Sequence, residues 1–355
     1  MTDVASLFVG PATSIHDVIA CIDRNANGIA LVVDGERRLI GTITDGDIRR
    51  ALLEGLPLEA PAGDVLARKP PHAPQQPTTA PIGTSQADLL GIMNQEKLRQ
   101  VPLVDADGRV VDIALLPDFV EEYQLPLRAL VMAGGLGTRL KPLTDDRPKS
   151  MLPVGGRPLL EVIVRQLRDA GIRRVNLATH YKSEMIAQHF GDGRELSVEI
   201  DYVREDQPLG TAGALSLLAE SAEPLLVING DILTQVNVAA MLEFHRANHA
   251  DMTVAVRPFD MQVPYGVVQT DGLAITGVDE KPVVRYFINA GIYLINGDVC
   301  QLVPPNDRCD MTDLIGRAIA GGRRVISFPL HEYWLDIGKA EDYARAVSDA
   351  EEGKV

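Results

Sequence analysis

Residues 127–355 predict an α/β fold, a doubly wound and mostly parallel sheet, preceded over residues 1–123 by a smaller α+β domain. Three observations carry this. From Leu127 onward, apolar runs of strand length alternate with amphipathic stretches, the pattern of a sheet covered by helices on both faces. A glycine-rich turn at Gly134, Gly135 and Gly137 follows the first of those runs. Before that, the chain repeats itself at a shift of 71 positions without a gap.

At 355 residues, with 46% hydrophobic and 23% charged, the chain has room for two or three domains and the balance of an ordinary soluble protein. A net charge of −15 argues against a nucleic-acid partner, which demands a basic face. Three cysteines, Cys21, Cys300 and Cys309, show neither a disulfide framework nor a zinc spacing. No apolar run approaches the roughly 18 residues of a membrane span, and MTDVASLFVG lacks the regions of a signal peptide. No membrane partner and a cytoplasmic location are therefore expected.

The repeat spans about residues 8–60 and 79–122. Thr13-Ser14 falls on Thr84-Ser85, Asp17 on Asp88, Asp34 on Asp105, Arg38 on Arg109 and Asp47 on Asp118. Each copy reads as a helical patch (Val18, Ile19, Ile22; Leu89, Leu90, Met93), a strand at 30–33 or 101–104, a polar turn, a second strand and a closing helix. Pro70, Pro71, Pro74, Pro77 and Pro81 mark an extended connection between the copies. A short helix ending in Glu121-Glu122-Tyr123 leads to a boundary near residues 124–126. The run Gly41-Thr42-Ile43-Thr44-Asp45-Gly46-Asp47 resembles the CBS module, which occurs in pairs. That resemblance implies an adenosine nucleotide held by Thr44 and Asp47. The second copy departs from the pattern, with Asp112 in place of Gly41 and Leu115 in place of Thr44, leaving Asp118.

In the second half, a strand over 127–131 runs into the glycine turn, where backbone N–H groups can approach an anion without a Cβ in the way. Arg139 and Lys149 follow, in a loop stiffened by Pro142, Pro148 and Pro153. An amide nest beside two fixed cations makes a phosphate site. It is not a Walker A sequence, because no Gly-Lys-Ser/Thr follows, and Leu140 breaks the dinucleotide pattern where its third glycine would stand. Pro158 opens a helix whose stripe is Leu159, Leu160, Ile163, Val164 and Leu167, closed at Ala170-Gly171. Strands at 174–178, 198–203, 225–228, 253–257, 266–269 and 286–294 follow. Helices are expected at 183–190, from about Thr211, and at 314–320. His180, His189 and His245 show no ligand spacing.

The stretch from Gly134 to Lys149, G-x-G-T-R-x-x-P-x-T with a later P-K, resembles the sugar-1-phosphate nucleotidylyltransferases. The resemblance implies a Rossmann-like nucleotidyltransferase fold and Mg²⁺ as cofactor. It assigns catalysis to Arg139 and Lys149, with Asp231 (in Asn229-Gly230-Asp231) and Asp336 (in Trp334-Leu335-Asp336) as metal carboxylates. Nucleotide binding is implied for Ala133, Gly134, Gly135, Gly137, Thr138, Glu205, Gly210 and Thr211, with free N–H groups near Gly210. Sugar-phosphate binding is implied for Gly266, beside Tyr265, and for Glu280, Lys281 and Asn289. The expected substrates are a nucleoside triphosphate and a sugar 1-phosphate, and the expected protein is a homo-oligomer.

Glu205 stands where thymidylyl and uridylyl relatives carry glutamine. Guanine presents two adjacent donors, which a carboxylate can accept, so GTP is expected. The CBS fusion resembles enzymes making GDP-activated amino sugars or hexoses for bacterial surface glycans, which implies glucosamine 1-phosphate first and mannose 1-phosphate second. Two rivals are a choline-phosphate cytidylyltransferase and a non-catalytic regulatory homologue. The first needs an aromatic cage that a 5% aromatic content disfavours. The second typically loses cations or carboxylates that this chain keeps.

Overall fold

The computed structural model describes residues 4–25, 27–69, 76–96, 98–119, 124–219, 221 and 223–354. They form two compact units, one gathering the first 125 residues with 169–171 and 237–244, the other the rest of the chain.

The first unit is built twice from one plan. Copy one runs β1 (Phe8–Val9), α1 (Ile15–Asn25), β2 (Ile29–Val33), β3 (Leu39–Thr44), α2 (Asp45–Leu53) and α3 (Ala62–Ala67). Copy two runs β4 (Ala80–Pro81), α4 (Gln86–Glu96), β5 (Gln100–Val104) and β6 (Val110–Leu115). Each supplies a three-stranded sheet, β1-β2-β3 and β4-β5-β6. The repeat holds at the level of single hydrogen bonds. The Ser14 hydroxyl accepts the Asp17 N–H at 3.1 Å, and the Ser85 hydroxyl accepts the Asp88 N–H at 3.2 Å. The Asp34 and Asp105 carboxylates each accept a turn N–H, from Arg38 and Arg109, at 2.9 Å. Leu31 and Val33 of the first copy share an apolar cluster with Val110 and Ile113 of the second, so neither sheet face is left uncovered.

One expectation changes here. Pro81 belongs to β4, opposite Val104, rather than to a connection; a two-residue strand tolerates a residue with no N–H. Of the closing helix of the second copy, the described residues show a 3-10 turn at Leu116–Phe119. Pro70, Pro71, Pro74, the Glu121-Glu122-Tyr123 helix and the Asp118 side chain lie outside the described residues.

The second unit is ordered around β7 (Arg128–Met132). After β8 (Pro153–Val154), β9 (Arg157–Pro158) and α5 (Leu159–Asp169), the chain alternates β10 (Arg174–Thr179), α6 (Ser183–Phe190), β11 (Glu199–Arg204), α7 (Gly210–Gly213) and β12 (Leu225–Asn229). It continues with β13 (Ile232–Thr234), β14 (Met252–Gln262), β15 (Val267–Asp271), β16 (Ala274–Asp279) and β17 (Val283–Ile295), while α8 (Val238–Ala247), between β13 and β14 in sequence, falls in the first unit as far as Phe244. α9 (Gly297–Cys300), α10 (Met311–Ala320), β18 (Val325–Pro329), β19 (Trp334–Asp336) and α11 (Ala340–Glu351) close it.

Seven strands form one sheet in the order β11-β10-β7-β12-β17-β14-β18. Four of its contacts are parallel and two, both made by β17, are antiparallel. The central strands are apolar on both faces because helices cover both: Ala129–Val131 and Leu225–Ile228 are all buried. The helix placed at Pro158 starts one residue later, at Leu159. Pro158 instead pairs with Pro153 across β8 and β9, where the Leu159 N–H reaches the Leu152 carbonyl at 2.9 Å. Among the described residues, no helix is long and apolar enough to cross a membrane.

Candidate active site

Register puts four strand ends side by side. Met132 pairs with Ala178 on one side and Asn229 on the other, and Thr179 pairs with Arg204. The segments leaving these ends, Ala133–Gly135, His180, Glu205 and Gly230-Asp231, therefore emerge together at the carboxyl edge of the parallel strands, where open α/β sheets bind ligands. A cleft of about 350 Å³ opens there. Ala133, Gly134, Gly135, Lys149, Glu205, Gly210, Thr211 and Asp231 all line it.

Lys149 and Asp231 meet in this cleft, Nζ to Oδ2, at 2.5 Å. Lys149 is buried, which fixes its ammonium in place. Gly137 permits this: its φ is +63°, and a Cβ would stand 2.9 Å from both Lys149 Cβ and Thr144 Cγ2. The buried Thr144 hydroxyl donates to the Gly137 carbonyl at 2.8 Å and locks the turn. Thr138 and Arg139 sit in the following 3-10 turn and are exposed.

Asp336 is brought to Asp231 by an antiparallel pairing of β13 with β19, in which Ile232 faces Asp336. The Ile337 N–H donates to the Asp231 carbonyl at 3.0 Å. A Cβ on Gly338 would lie 3.7 Å from Arg139 Nη1 and 3.8 Å from Asp336 Oδ1, so that guanidinium and that carboxylate face the same spot. Although Asp336 is solvent-accessible, surrounding protein and then the Asp231 charge push its carboxyl above the ordinary value, against the pull of Lys149 and Arg139. Two carboxylates brought to one spot in this way are a donor set that suits a divalent cation.

At the other end of the cleft, the half-buried Glu205 accepts the Leu209 N–H on Oε2 at 3.3 Å. Burial pushes its carboxyl up despite that bond. The free N–H groups expected near Gly210 are not free. The Thr211 N–H goes to Asp310 Oδ1 at 3.1 Å and the Ala212 N–H to the Cys309 carbonyl at 2.9 Å. A Cβ on Gly210, whose φ is +81°, would stand 2.6 Å from that Asp310 oxygen, so only glycine allows the two loops to close. Arg308 and Asp310 also line the cleft, and sequence reasoning passes over them because they lie almost 100 residues on, in a loop without a motif.

The sugar-side candidates are not gathered in this cleft. Tyr265, Gly266, Glu280 and Lys281 flank the exposed β15–β16 hairpin, with Glu280 Oε2 3.2 Å from where a Gly266 Cβ would be. Lys281 holds a left-handed φ of 48°. Asn289 connects them to the cleft: its Oδ1 accepts the Gly291 N–H at 2.9 Å, and Gly291 packs against the cleft residue Asn229.

In the first unit, Thr44 and Asp47 form a capping box at the start of α2, the Asp47 carboxylate accepting the Thr44 N–H at 3.0 Å and hydroxyl at 2.9 Å. Arg50 at 2.6 Å and Lys69 at 3.3 Å also pair with it. Burial opposes the Asp47 charge, but Lys69, the Thr44 bonds and Arg50 outweigh it and hold the carboxyl below the ordinary range. His245 and His189 are satisfied structurally: buried His245 meets Thr253 Oγ1 at 2.8 Å and Asn296 Oδ1 at 3.1 Å, and His189 meets Glu161 at 2.8 Å.

Known proteins share this architecture. Residues 128–353 match the nucleotidyl transferase family, and residues 1–54 and 62–124 match the CBS domain. The chain is 35% identical over 233 residues to the mannose-1-phosphate guanylyltransferase of Mycobacterium tuberculosis, covering 63% of this chain and 65% of that one. It is 34% identical over 228 residues to the mannose-1-phosphate guanyltransferase of Schizosaccharomyces pombe, covering 61% and 62%. The chain thus spans a little under two thirds of the length of these relatives. Among solved structures, a glucose-1-phosphate thymidylyltransferase of Bacillus anthracis superposes with a TM-score of 0.52 at 24% identity, over 63% of this chain and 95% of that one, which shows the fold. HddC of Yersinia pseudotuberculosis, complexed with GMP-PN, superposes with a TM-score of 0.50 at 26% identity, over 62% and 98%. The chain belongs to the nucleotidyl transferase family.

Proposed function

We propose that this protein is a Mg²⁺-dependent mannose-1-phosphate guanylyltransferase, converting GTP and mannose 1-phosphate into GDP-mannose and pyrophosphate. The observation that carries the reading is the single cleft that gathers the glycine nest, Lys149, Asp231 and Glu205. The guanylyltransferase relatives move mannose 1-phosphate ahead of glucosamine 1-phosphate, which the fusion pattern alone had favoured. A cytoplasmic enzyme is the setting such substrates imply.

In the reaction, an oxygen of the sugar phosphate attacks the α-phosphorus of GTP. A new P–O bond forms, the bond to the β-bridging oxygen breaks, and pyrophosphate leaves with the electron pair. The protein's task is to hold two polyanions in line and offset charge. The amides of Gly134, Gly135 and Gly137, with Thr138, cradle the triphosphate, while Ala133, whose own N–H goes to the Ala178 carbonyl at 2.8 Å, anchors the start of the turn. Arg139 grips it with a planar fork, and Lys149 exchanges Asp231 for the α-phosphate as nucleotide enters. Asp231 and Asp336 would hold the metal, which when bound supplies positive charge against the phosphates. Glu205 accepts two guanine donors, while Thr211 and Gly210 shape the wall beside the base. Gly266, Glu280, Lys281 and Asn289 receive the sugar phosphate from the hairpin side. In the first unit, Thr44 and Asp47 are proposed to bind an adenosine nucleotide.

The test is to incubate the protein with Mg²⁺, each nucleoside triphosphate and a panel of sugar 1-phosphates, and to identify the nucleotide sugar chromatographically. GDP-mannose as principal product supports the proposal. A UDP- or dTDP-sugar as principal product overturns its base, and no nucleotide sugar from any pair overturns it entirely.

A further inference from the structure

The exposed apolar surface of this protein is unevenly placed. Of twenty large apolar side chains exposed among the described residues, eleven fall between Phe259 and Phe287. This concentration sits on an arm of two ribbons. Beyond Val256, β14 no longer pairs with β18 and keeps only β17, and β15 and β16 pair only with each other. A two-stranded ribbon is marginal in water unless a face is covered. Register makes one face of the β14–β17 ribbon continuous: Phe259 lies opposite Tyr286, and Met261 opposite Val284. Phe259 and Tyr286 are each 50% exposed, while at the hairpin Ile275 is 67% exposed and Leu273 fully so. Contiguous apolar patches of this kind mark interaction sites.

Charge identifies the occupant. From Arg257 to Asn289 the chain carries three cations (Arg257, Lys281, Arg285) and four anions (Asp260, Asp271, Asp279, Glu280), so the arm is nearly neutral in a chain of net charge −15. Two copies repel over most of their surface and meet at least electrostatic cost where each is neutral. One ion pair is closed within the arm, the Asp260 carboxylate taking both Arg285 nitrogens at 2.7 and 2.8 Å, and the Asp279 carboxylate accepts from the Gln269 amide at 2.8 Å. A strongly charged partner finds no complement there, whereas an identical arm does. We infer that the arm, residues 257–289, is the contact by which two copies of this chain associate about a two-fold axis, each Phe259–Tyr286 face covering the other.

The experiment is sedimentation velocity on the full chain, wild type against Phe259→Asp and Ile275→Asp, with thermal melts to show that the variants fold. Wild type is expected to sediment as a dimer. Either charge is expected to raise the dimer dissociation constant by roughly a hundredfold, the scale of a central interface residue. Hydrogen exchange of wild type at several concentrations adds a measurement free of mutation, and amides between 259 and 289 are expected to gain protection as the dimer forms. A wild type that stays monomeric overturns the inference. So does a dimer that neither variant weakens, which places the contact elsewhere, or an exchange rate in the arm that does not respond to concentration.

Discussion

Lys149 Nζ and Asp231 Oδ2 stand 2.5 Å apart across 82 residues of chain, the buried cation of the loop after β7 against a carboxylate just past the end of β12. The pair holds both groups at the cleft before substrate arrives, so only the partner of the ammonium has to change when the polyanion enters. It also separates stability from activity. Asp231 keeps partial solvent access, so removing the lysine leaves a carboxylate that water can solvate. Lys149→Ala is expected to cost only about 1 kcal/mol of stability, near the range of a partly exposed pair, measured by urea unfolding. A loss several times larger shows the lysine to be chiefly structural.

Asp336 gives a prediction with a sign. Its carboxyl is pushed above the unfolded value of 3.8, so between that value and the raised one the folded state binds more protons than the unfolded. Stability from this group therefore falls as pH rises through that window. Asp336→Asn, which removes the charge, is expected to melt higher than wild type at neutral pH without metal. Adding Mg²⁺ is expected to raise the wild-type melting temperature, since a ligand of the folded state stabilises it by mass action. The variant loses that increment. Thermal melts with and without Mg²⁺ check both, and an equal Mg²⁺ response in the two proteins removes Asp336 from the metal site.

Glu205 tests the choice of base. Against uracil or thymine its carboxylate meets carbonyl acceptors and leaves a buried acceptor unpaired, at about 1–3 kcal/mol. Glu205→Gln is expected to erode the preference for GTP over UTP by roughly tenfold, following that energy. The ratio of kcat/KM values for the two triphosphates is the measurement, and an unchanged ratio assigns base choice to other groups.

Thr44 and Asp47 are predicted to serve two ends. As the third residue of α2, completing the capping box with the N-cap Thr44, the Asp47 carboxylate is held low, so its stabilisation is present above the unfolded value of 3.8 and is lost as pH falls through the depressed folded value. Asp47→Ala is expected to cost about 1–2 kcal/mol at neutral pH, the worth of a cap, and less in acid. As a ligand site, the full chain is expected to bind AMP, ADP or ATP in calorimetry, and Asp47→Ala to abolish it. Absence of heat with all three nucleotides leaves the cap as this loop's only role.

The motifs that placed the site were legible because each is local. Gly134 to Lys149 is one contiguous stretch, and the apolar run before Asp231 announces the strand that delivers it. The 71-residue repeat was legible for the same reason, down to the Ser14 and Ser85 caps. What escaped was set by distant partners. The N–H groups of Thr211 and Ala212 look free in sequence, but Cys309 and Asp310 consume them from almost 100 residues away. The two short strands β13 and β19 lack strong patterns of their own. β13 and β19 exist because Ile232 and Leu233 find Asp336 and Leu335 across the fold. Pro158 carried a helix-start signal that pairing with Pro153 overrode.

The central claim is nucleotidyl transfer at the Lys149–Asp231 cleft. Its most direct test is the initial rate of pyrophosphate release from GTP and mannose 1-phosphate with Mg²⁺, for wild type, Lys149→Ala and Asp231→Asn side by side. Steady release is expected from wild type, and a fall in kcat of at least about 100-fold in each variant, the scale of removing one transition-state charge partner. Wild type that releases no pyrophosphate with any sugar 1-phosphate, or variants that turn over like wild type, would contradict it.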